Sequence, residues 1–329
     1  INYFIIMKQL VNIEEIINSY KRISKYSFKT PLLSSGLLNK KYNVNIFVKA
    51  ENLQKIGAFK FRGAMNSVLQ LEKHQNKVLA WSSGNHAQAI ASAASLNNKK
   101  AIIVMPEDSP KSKLDGTKAW GAKVITFNRY KESREELGFK IAQQENATII
   151  PPFDDTRVIN GQGTVGYEMI NQCDKLQIKP DLALCCCGGG GLIAGVSTAL
   201  LSKFPDLPIY AVEPEDYNDT LLSLEQNKRV EVDVTKKSIC DALLAPKPGE
   251  ITFEINKSNL KGVLLVSDQE ALFAMKIAFQ YLRIVLEPGG AVALAAAIFN
   301  KIDIKNKNVL IVASGGNVDK EIFQKCLLM

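Results

Sequence analysis

Histidine is almost missing: His74 and His86 are the only two in 329 residues. That excludes a histidine-rich metal centre and leaves a Ser-His-Asp triad only two residues to draw on. Arginine is scarce as well, seven against 34 lysines. Arginine is the side chain that reads phosphates and base edges bidentately. The lysines are scattered, and their longest runs are pairs (Lys40-Lys41, Lys99-Lys100, Lys236-Lys237). A net charge of +8 therefore carries no expectation of a nucleic-acid partner, and lysine excess beside 24 asparagines fits a coding bias. No Cys-x-x-Cys occurs among the six cysteines, and three of them, Cys185 to Cys187, are consecutive. Neighbours in that arrangement do not make a disulfide framework, so free thiols and a reducing, cytoplasmic setting are expected. No apolar run approaches a membrane span; Ala291 to Phe299 is far too short. Ile1 to Met7 lacks both a basic region and a small-residue cleavage site, so no secretory signal is expected, and Met7 is a candidate start.

What is present is ordinary globular composition, 46% apolar and 22% charged. Ile13, Ile16, Ile17, Tyr20 and Ile23 recur at helical spacing and predict an amphipathic helix. Short β-branched runs then alternate with helical stretches: 46–49, 78–81, 101–105, 123–127, 148–150, 182–187, 209–212, 263–266 and 309–313. Several are apolar on both faces, as parallel strands covered by helices must be. The alternation predicts a doubly wound α/β architecture. Gly121 reads as a helix C-cap, and Ser267 to Glu270 as a capping box opening a helix over 271–283. Residues 77–152 hold about four βα units and are expected to form a small inserted domain, with 1–76 and 153–329 as the large one.

Four loops carry chemistry, and all follow predicted strands, where open α/β sheets bind ligands. Gly188-Gly189-Gly190-Gly191-Leu192 joins a strand to a helix, so converging amides and the helix dipole suit a phosphate. The same loop fits a dinucleotide fingerprint through Gly189, Gly191 and Ala194, with Glu213 at the end of the next strand. A nicotinamide oxidoreductase is therefore a competitor on this loop alone. Lys60 lies in Ala58-Phe59-Lys60-Phe61-Arg62-Gly63. An apolar pocket or a neighbouring cation such as Arg62 would lower its pKa and favour carbonyl chemistry. Ser82-Ser83-Gly84-Asn85-His86 opens a helix and suits a carboxylate, although a lone histidine is more often structural. Ser314-Gly315-Gly316-Asn317-Val318-Asp319 ends the last strand.

These four motifs in this order resemble the fold-type-II pyridoxal-phosphate enzymes, in the serine/threonine dehydratase and serine racemase group. The resemblance spans residues 30–320 and displaces the nicotinamide reading. It implies a tryptophan synthase β-like fold, two doubly wound α/β domains with pyridoxal 5'-phosphate in the cleft. By that resemblance Lys60 would carry the cofactor covalently and act as base at the substrate α-carbon. Gly188, Gly189, Gly190, Gly191 and Leu192 would cradle the phosphate, Asn85 would bond the ring hydroxyl, Phe59 would lean on the ring, and Ser314 would meet the pyridine nitrogen. Ser82, Ser83, Asn85 and His86 would hold the substrate carboxylate. The implied reaction is β-elimination from a small β-hydroxy amino acid, giving pyruvate from L-serine or 2-oxobutyrate from L-threonine with ammonia.

Ser83 keeps a second reading open. It stands where racemases of the family have the acid/base opposite the lysine, so serine racemisation with side dehydratase activity is the alternative. A third reading is 3-hydroxyaspartate dehydration, which is disfavoured because no arginine lies in a matched loop. Glu213-Pro214-Glu215-Asp216-Tyr217-Asn218-Asp219 resembles the family's divalent-cation loop. Glu213 and Asp219, with the Tyr217 carbonyl, would bind Mg²⁺ or Ca²⁺, hard ions that take oxygen ligands. Glu287, in Glu287-Pro288-Gly289-Gly290, matches a segment near the cofactor. Cys185 to Cys187 read as small apolar strand residues, with a redox role for Cys187 less favoured. The family implies a homodimer. With the chain ending soon after Asp319, no C-terminal regulatory domain and no feedback control by isoleucine are expected.

Overall fold

The structure is a computed structural model that describes residues 9–82, 84–109, 111–128 and 131–329, the Ser112 side chain excepted. Ser83 and the 1–8 segment lie outside the described residues. Ten strands are present among the described residues: β1 Leu32–Leu33, β2 Asn45–Ala50, β3 Lys77–Trp81, β4 Lys100–Pro106, β5 Lys123–Phe127, β6 Thr148–Ile149, β7 Leu182–Cys186, β8 Ile209–Pro214, β9 Gly262–Val266 and β10 Asn308–Ala313. They form a six-stranded sheet, β1-β2-β10-β7-β8-β9, and a four-stranded sheet, β5-β4-β3-β6. Every pairing is parallel except β1 with β2. β1 is the strand that periodicity missed; two residues hold no period to read.

Parallel sheets must be covered on both faces. The large sheet is covered on one side by the alanine-rich helix Pro288–Ile298, all of whose residues are buried. Helix Ile13–Ile23 forms where the isoleucine spacing predicts it, with Asn12 accepting from the Glu15 amide at 2.9 Å. Its Ile16 and Ile23 are fully buried, which contributes about 1.5–3 kcal/mol each by area removed from water. The Ser267–Glu270 capping box is present, but its α-helix stops at Ile277 and continues as a π turn over Ala278–Leu282. Arg283 follows with φ of 61°, a left-handed residue that ends the element.

A buried ionic cluster holds the helix Lys60–Leu69 against the rest of the large-sheet unit. Arg62 bonds Glu51 at 2.7 Å and Glu168 at 2.9 Å, and Lys49 bonds Glu168 at 2.6 Å. All four side chains are at most 1% exposed. Two cations face two carboxylates, so the charges cancel, and the Thr30 and Thr164 hydroxyls take up remaining bonds. Such a cluster is stable only when it is complete.

Candidate active site

The loops singled out in the sequence meet at the C-terminal edges of β7 and β10 and the end of β3. There an inner cavity of about 210 Å³ is lined by Phe59, Lys60, Ser82, Asn85, His86, Cys186, the glycines 188–191, Leu192, Glu287 and Ser314. Beside it lies an outer cavity of about 820 Å³, and the two share Ser82, Lys113, Arg134, Asp241 and Leu244.

Lys60 is the first residue of its helix, and its Nζ donates to the Pro152 carbonyl at 2.5 Å. The Phe59 ring centroid lies 5.3 Å from Nζ. Phe59 is itself pinned, because its amide donates to the Ser314 carbonyl at 3.0 Å. Burial pushes the Lys60 amine down to about 8, against a smaller opposing pull from Cys186. Arg62 is not the cause the sequence offered. Its guanidinium is turned into the buried cluster, so of the two expected mechanisms desolvation is the one at work.

The glycine loop follows β7 and opens the helix Gly191–Lys203. Gly190 adopts φ of 92°, and a Cβ there would lie 2.7 Å from Asn256 Nδ2. A Cβ on Gly189 would intrude on the Phe153 ring. The loop's carbonyls are claimed from the other side: Thr252 Oγ1 donates to Gly189 O at 2.7 Å and Asn256 Nδ2 to Gly190 O at 3.3 Å. Its amides, from Gly188 to Leu192, have no acceptor among the described residues. Unclaimed amides at a helix N-terminus form an anion seat. Thr252, Asn256 and Phe153 were not legible as site residues, because they lie far along the chain from the loop they brace.

Asn85 opens the helix Asn85–Leu96. Its Nδ2 donates to Glu287 Oε1 at 2.7 Å, and its Oδ1 accepts from Asn317 Nδ2 at 2.7 Å. Both partners sat in noted motifs, but neither had an assigned role. The Glu287 carboxyl is buried and pushed up to about 8, by desolvation first and then by Asp241. It is therefore mostly protonated at neutral pH. His86 lines the cavity, but its ring is engaged by the protein itself. Its Nε2 bonds the Ile150 carbonyl at 2.9 Å, so that nitrogen carries the hydrogen, and burial, then Lys60, lowers the ring to about 3. The buried Nδ1 has no partner among the described residues and, as a lone pair, cannot donate to a carboxylate. The expected carboxylate contact of His86 narrows to its backbone amide. Ser82 lines both cavities, and its Oγ accepts from the Gly84 amide at 3.2 Å.

No arginine lies in a matched loop, as the sequence indicated, but Arg134 reaches the cavities from outside those loops and pairs with Glu135 at 2.7 Å. It stands at the start of helix Arg134–Glu145 and lines both cavities. Lys113 lines them too and pairs with Asp241. Sequence position could not show this, because Arg134 lies outside every recognised motif.

Glu213 and Asp219 come together at the end of β8, away from the inner cavity. Glu213 is fully buried, accepts from the Thr220 amide at 2.9 Å and the Leu221 amide at 3.1 Å, and is pushed by burial up to about 7. Asp219 is fully buried with both oxygens unpartnered among the described residues, and burial, then Glu213, pushes it up to about 9. Tyr217 donates its hydroxyl to the Lys236 carbonyl at 2.9 Å. No group of three or more His, Cys, Asp or Glu that could hold a metal occurs among the described residues.

A buried, partly neutral amine facing an anion seat is what a pyridoxal-phosphate enzyme needs. On two parallel sheets with the site at their strand ends, it defines the fold-type-II class. The chain belongs to the pyridoxal-phosphate dependent enzyme family, whose model matches residues 23–315. It is 42% identical to the serine racemase of Schizosaccharomyces pombe over 310 residues, 94% of each chain. It is also 42% identical to the L-threo-3-hydroxyaspartate ammonia-lyase of Saccharomyces cerevisiae over 307 residues, 93% of each. Among solved structures it is similar to maize serine racemase, with a TM-score of 0.90 and 33% identity, covering 97% of each chain. It is similar also to a threonine deaminase from T.th., with a TM-score of 0.89 and 36% identity, covering 94% of this chain and 99% of that one. No helix among the described residues is long and apolar enough to cross a membrane.

Proposed function

We propose that this protein is an ammonia-lyase that dehydrates a small β-hydroxy amino acid, L-serine or L-threonine, to the keto acid and ammonia. The observation that carries the reading is the Lys60 amine, held near a pKa of 8 in the same cavity as the unclaimed glycine amides. Those amides fit a phosphate, and the absence of a Cβ at Gly189 lets the Phe153 ring pack directly against the loop that presents them. Pyridoxal phosphate, when bound, supplies the sink for the electrons left at the substrate α-carbon.

The chain's own residues supply the rest. The amides of the helix starting at Asn85, with Ser82, receive the substrate carboxylate. Lys60 Nζ takes the proton from the α-carbon, which it can do at neutral pH because burial lowers its pKa. Asn85, clamped between Asn317 and Glu287, keeps one N–H of Nδ2 free for the ring oxygen. Ser314 offers a neutral hydroxyl to the ring nitrogen, which moderates the sink and suits a step where a leaving group departs quickly.

Two further readings each have their own support. Ser83 supports serine racemisation. Arg134 and Lys113 at the mouth of the cavity support a substrate with a second carboxylate, 3-hydroxyaspartate. One panel tests all three: L-serine, L-threonine and L-threo-3-hydroxyaspartate, each followed for keto acid and for inversion. Keto acid from serine or threonine is expected. Its absence from both would overturn the lyase reading. Ser83→Ala should leave keto acid intact and remove any D-serine. Arg134→Ala should raise KM for hydroxyaspartate about 10- to 100-fold, the worth of a charged hydrogen bond, and leave serine nearly unchanged.

We also propose that Glu213, Asp219 and the Tyr217 carbonyl hold Mg²⁺ or Ca²⁺. Two buried carboxylates with no cation beside them among the described residues are a costly arrangement, and a hard dication relieves it. Millimolar Mg²⁺ or Ca²⁺ should raise Tm by a few degrees over a chelator-treated sample. Asp219→Asn should abolish that rise; an unchanged rise in the variant would remove the site.

A further inference from the structure

We propose that Cys186 is the one thiol of this protein open to soft electrophiles, and that its alkylation and cofactor occupancy exclude each other. The proposal rests on the cofactor reading above. All six cysteines are free and buried. Cys186, only 3% exposed, is nevertheless the one that lines the inner cavity, beside Lys60, Ser314 and the glycine loop. Strand register explains the placement. β7 pairs with β10 so that Cys185 lies opposite Val312, which carries Cys186 and Ser314 to neighbouring strand ends. None of the other five lines either cavity. Cys187 points to Thr220, with Sγ 3.3 Å from its Oγ1, and Cys185 Sγ lies 3.6 Å from a backbone carbonyl. The less favoured redox reading of Cys187 therefore has no support from its position, and the thiol facing the cavity is one residue earlier.

Charge separates the six in the same way. The reactive form of cysteine is the thiolate. Burial pushes Cys173 up to about 11, and pushes Cys185, Cys187, Cys240 and Cys326 up as well. Cys186 goes down, because Cys185 donates to it and because Ser314 and the Lys60 ammonium favour the negative sulfur. With a small haloacetamide the step is a displacement. Cys186 Sγ attacks the methylene carbon, an S–C bond forms, the C–I bond breaks, and iodide leaves. The thiol proton passes to Lys60 Nζ or to solvent. The added group occupies the space between Lys60, the glycine amides and Ser314, where the cofactor would sit.

The test uses the whole chain, with cofactor loaded and after cofactor removal, treated with iodoacetamide and read by peptide mass spectrometry. The cofactor-free protein should label at Cys186 before any other cysteine, and at least about 10-fold faster than the loaded protein, by mass action. The labelled protein should no longer gain visible absorbance on adding pyridoxal phosphate. Cys186→Ser should gain that absorbance and remain unlabelled on the same time scale. Equal labelling in both states, or earlier labelling at another cysteine, would overturn the proposal while leaving the cofactor reading intact. Failure of untreated protein to gain the absorbance at all would instead sink the cofactor reading, and this proposal with it.

Discussion

Lys60→Ala is expected to lower keto-acid formation by at least about 10⁴-fold, since it removes both the covalent anchor and the base at the α-carbon. The visible cofactor absorbance should vanish with it. Neither the glycine amides nor Asn85 is touched by the change, so the phosphate seat survives and weak, colourless cofactor binding should persist, detectable by equilibrium dialysis. Retained absorbance in the variant would show that another lysine carries the cofactor. The pH dependence has a definite sign. Burial lowers the Lys60 amine to about 8, and only the neutral amine is nucleophilic. Cofactor capture by the cofactor-free protein should therefore rise from about pH 6 through a midpoint near pH 8 to a plateau above about pH 9. A rate that climbs only toward about pH 10 would mean that the amine is not desolvated as the cavity requires.

Arg62→Met should destabilise the protein by about 3–5 kcal/mol, the largest loss expected from any single side chain outside the cavity. The change leaves Glu51 and Glu168, both fully or almost fully buried, with Lys49 as the only cation of their cluster among the described residues. Denaturant unfolding of wild type and variant measures the difference. Replacing Arg62 and Glu51 together, by Met and Leu, should recover part of the loss, because what costs free energy is the unpaired charge and not the missing bond. A single-variant loss under about 1 kcal/mol would show that water reaches the cluster. The cluster also matters to the site, because the helix it anchors begins with Lys60. Loss of Arg62 should thus loosen Lys60 and weaken cofactor retention even where the fold survives.

The glycine loop, Lys60, Asn85 and Ser314 could be read from the chain because each sits in a short stretch whose residue types are dictated locally. Gly190 must take a left-handed φ, and strand-to-helix turns expose amides. The strands of both sheets other than β1 were legible for a related reason: an apolar run covered on both faces is continuous in sequence. The π turn after Ile277 was not, since its residues pattern like the helix before it. Ser83, on which racemisation turns, lies outside the described residues.

With only two histidines in the chain, the sequence alone pointed the proposal for proton transfer to a lysine. Lys60 could be picked from 34 lysines by its neighbours along the chain. The cause of its lowered pKa was decided only by the tertiary structure, which buries the amine and turns Arg62 elsewhere. The same holds for the neutral His86 ring, the protonated Glu287, the arrival of Arg134 at the cavity and the choice of Cys186 among three consecutive cysteines. A local motif fixes which groups a loop can offer. Their charge and direction depend on what is packed against them from distant parts of the chain, and only the folded molecule supplies that.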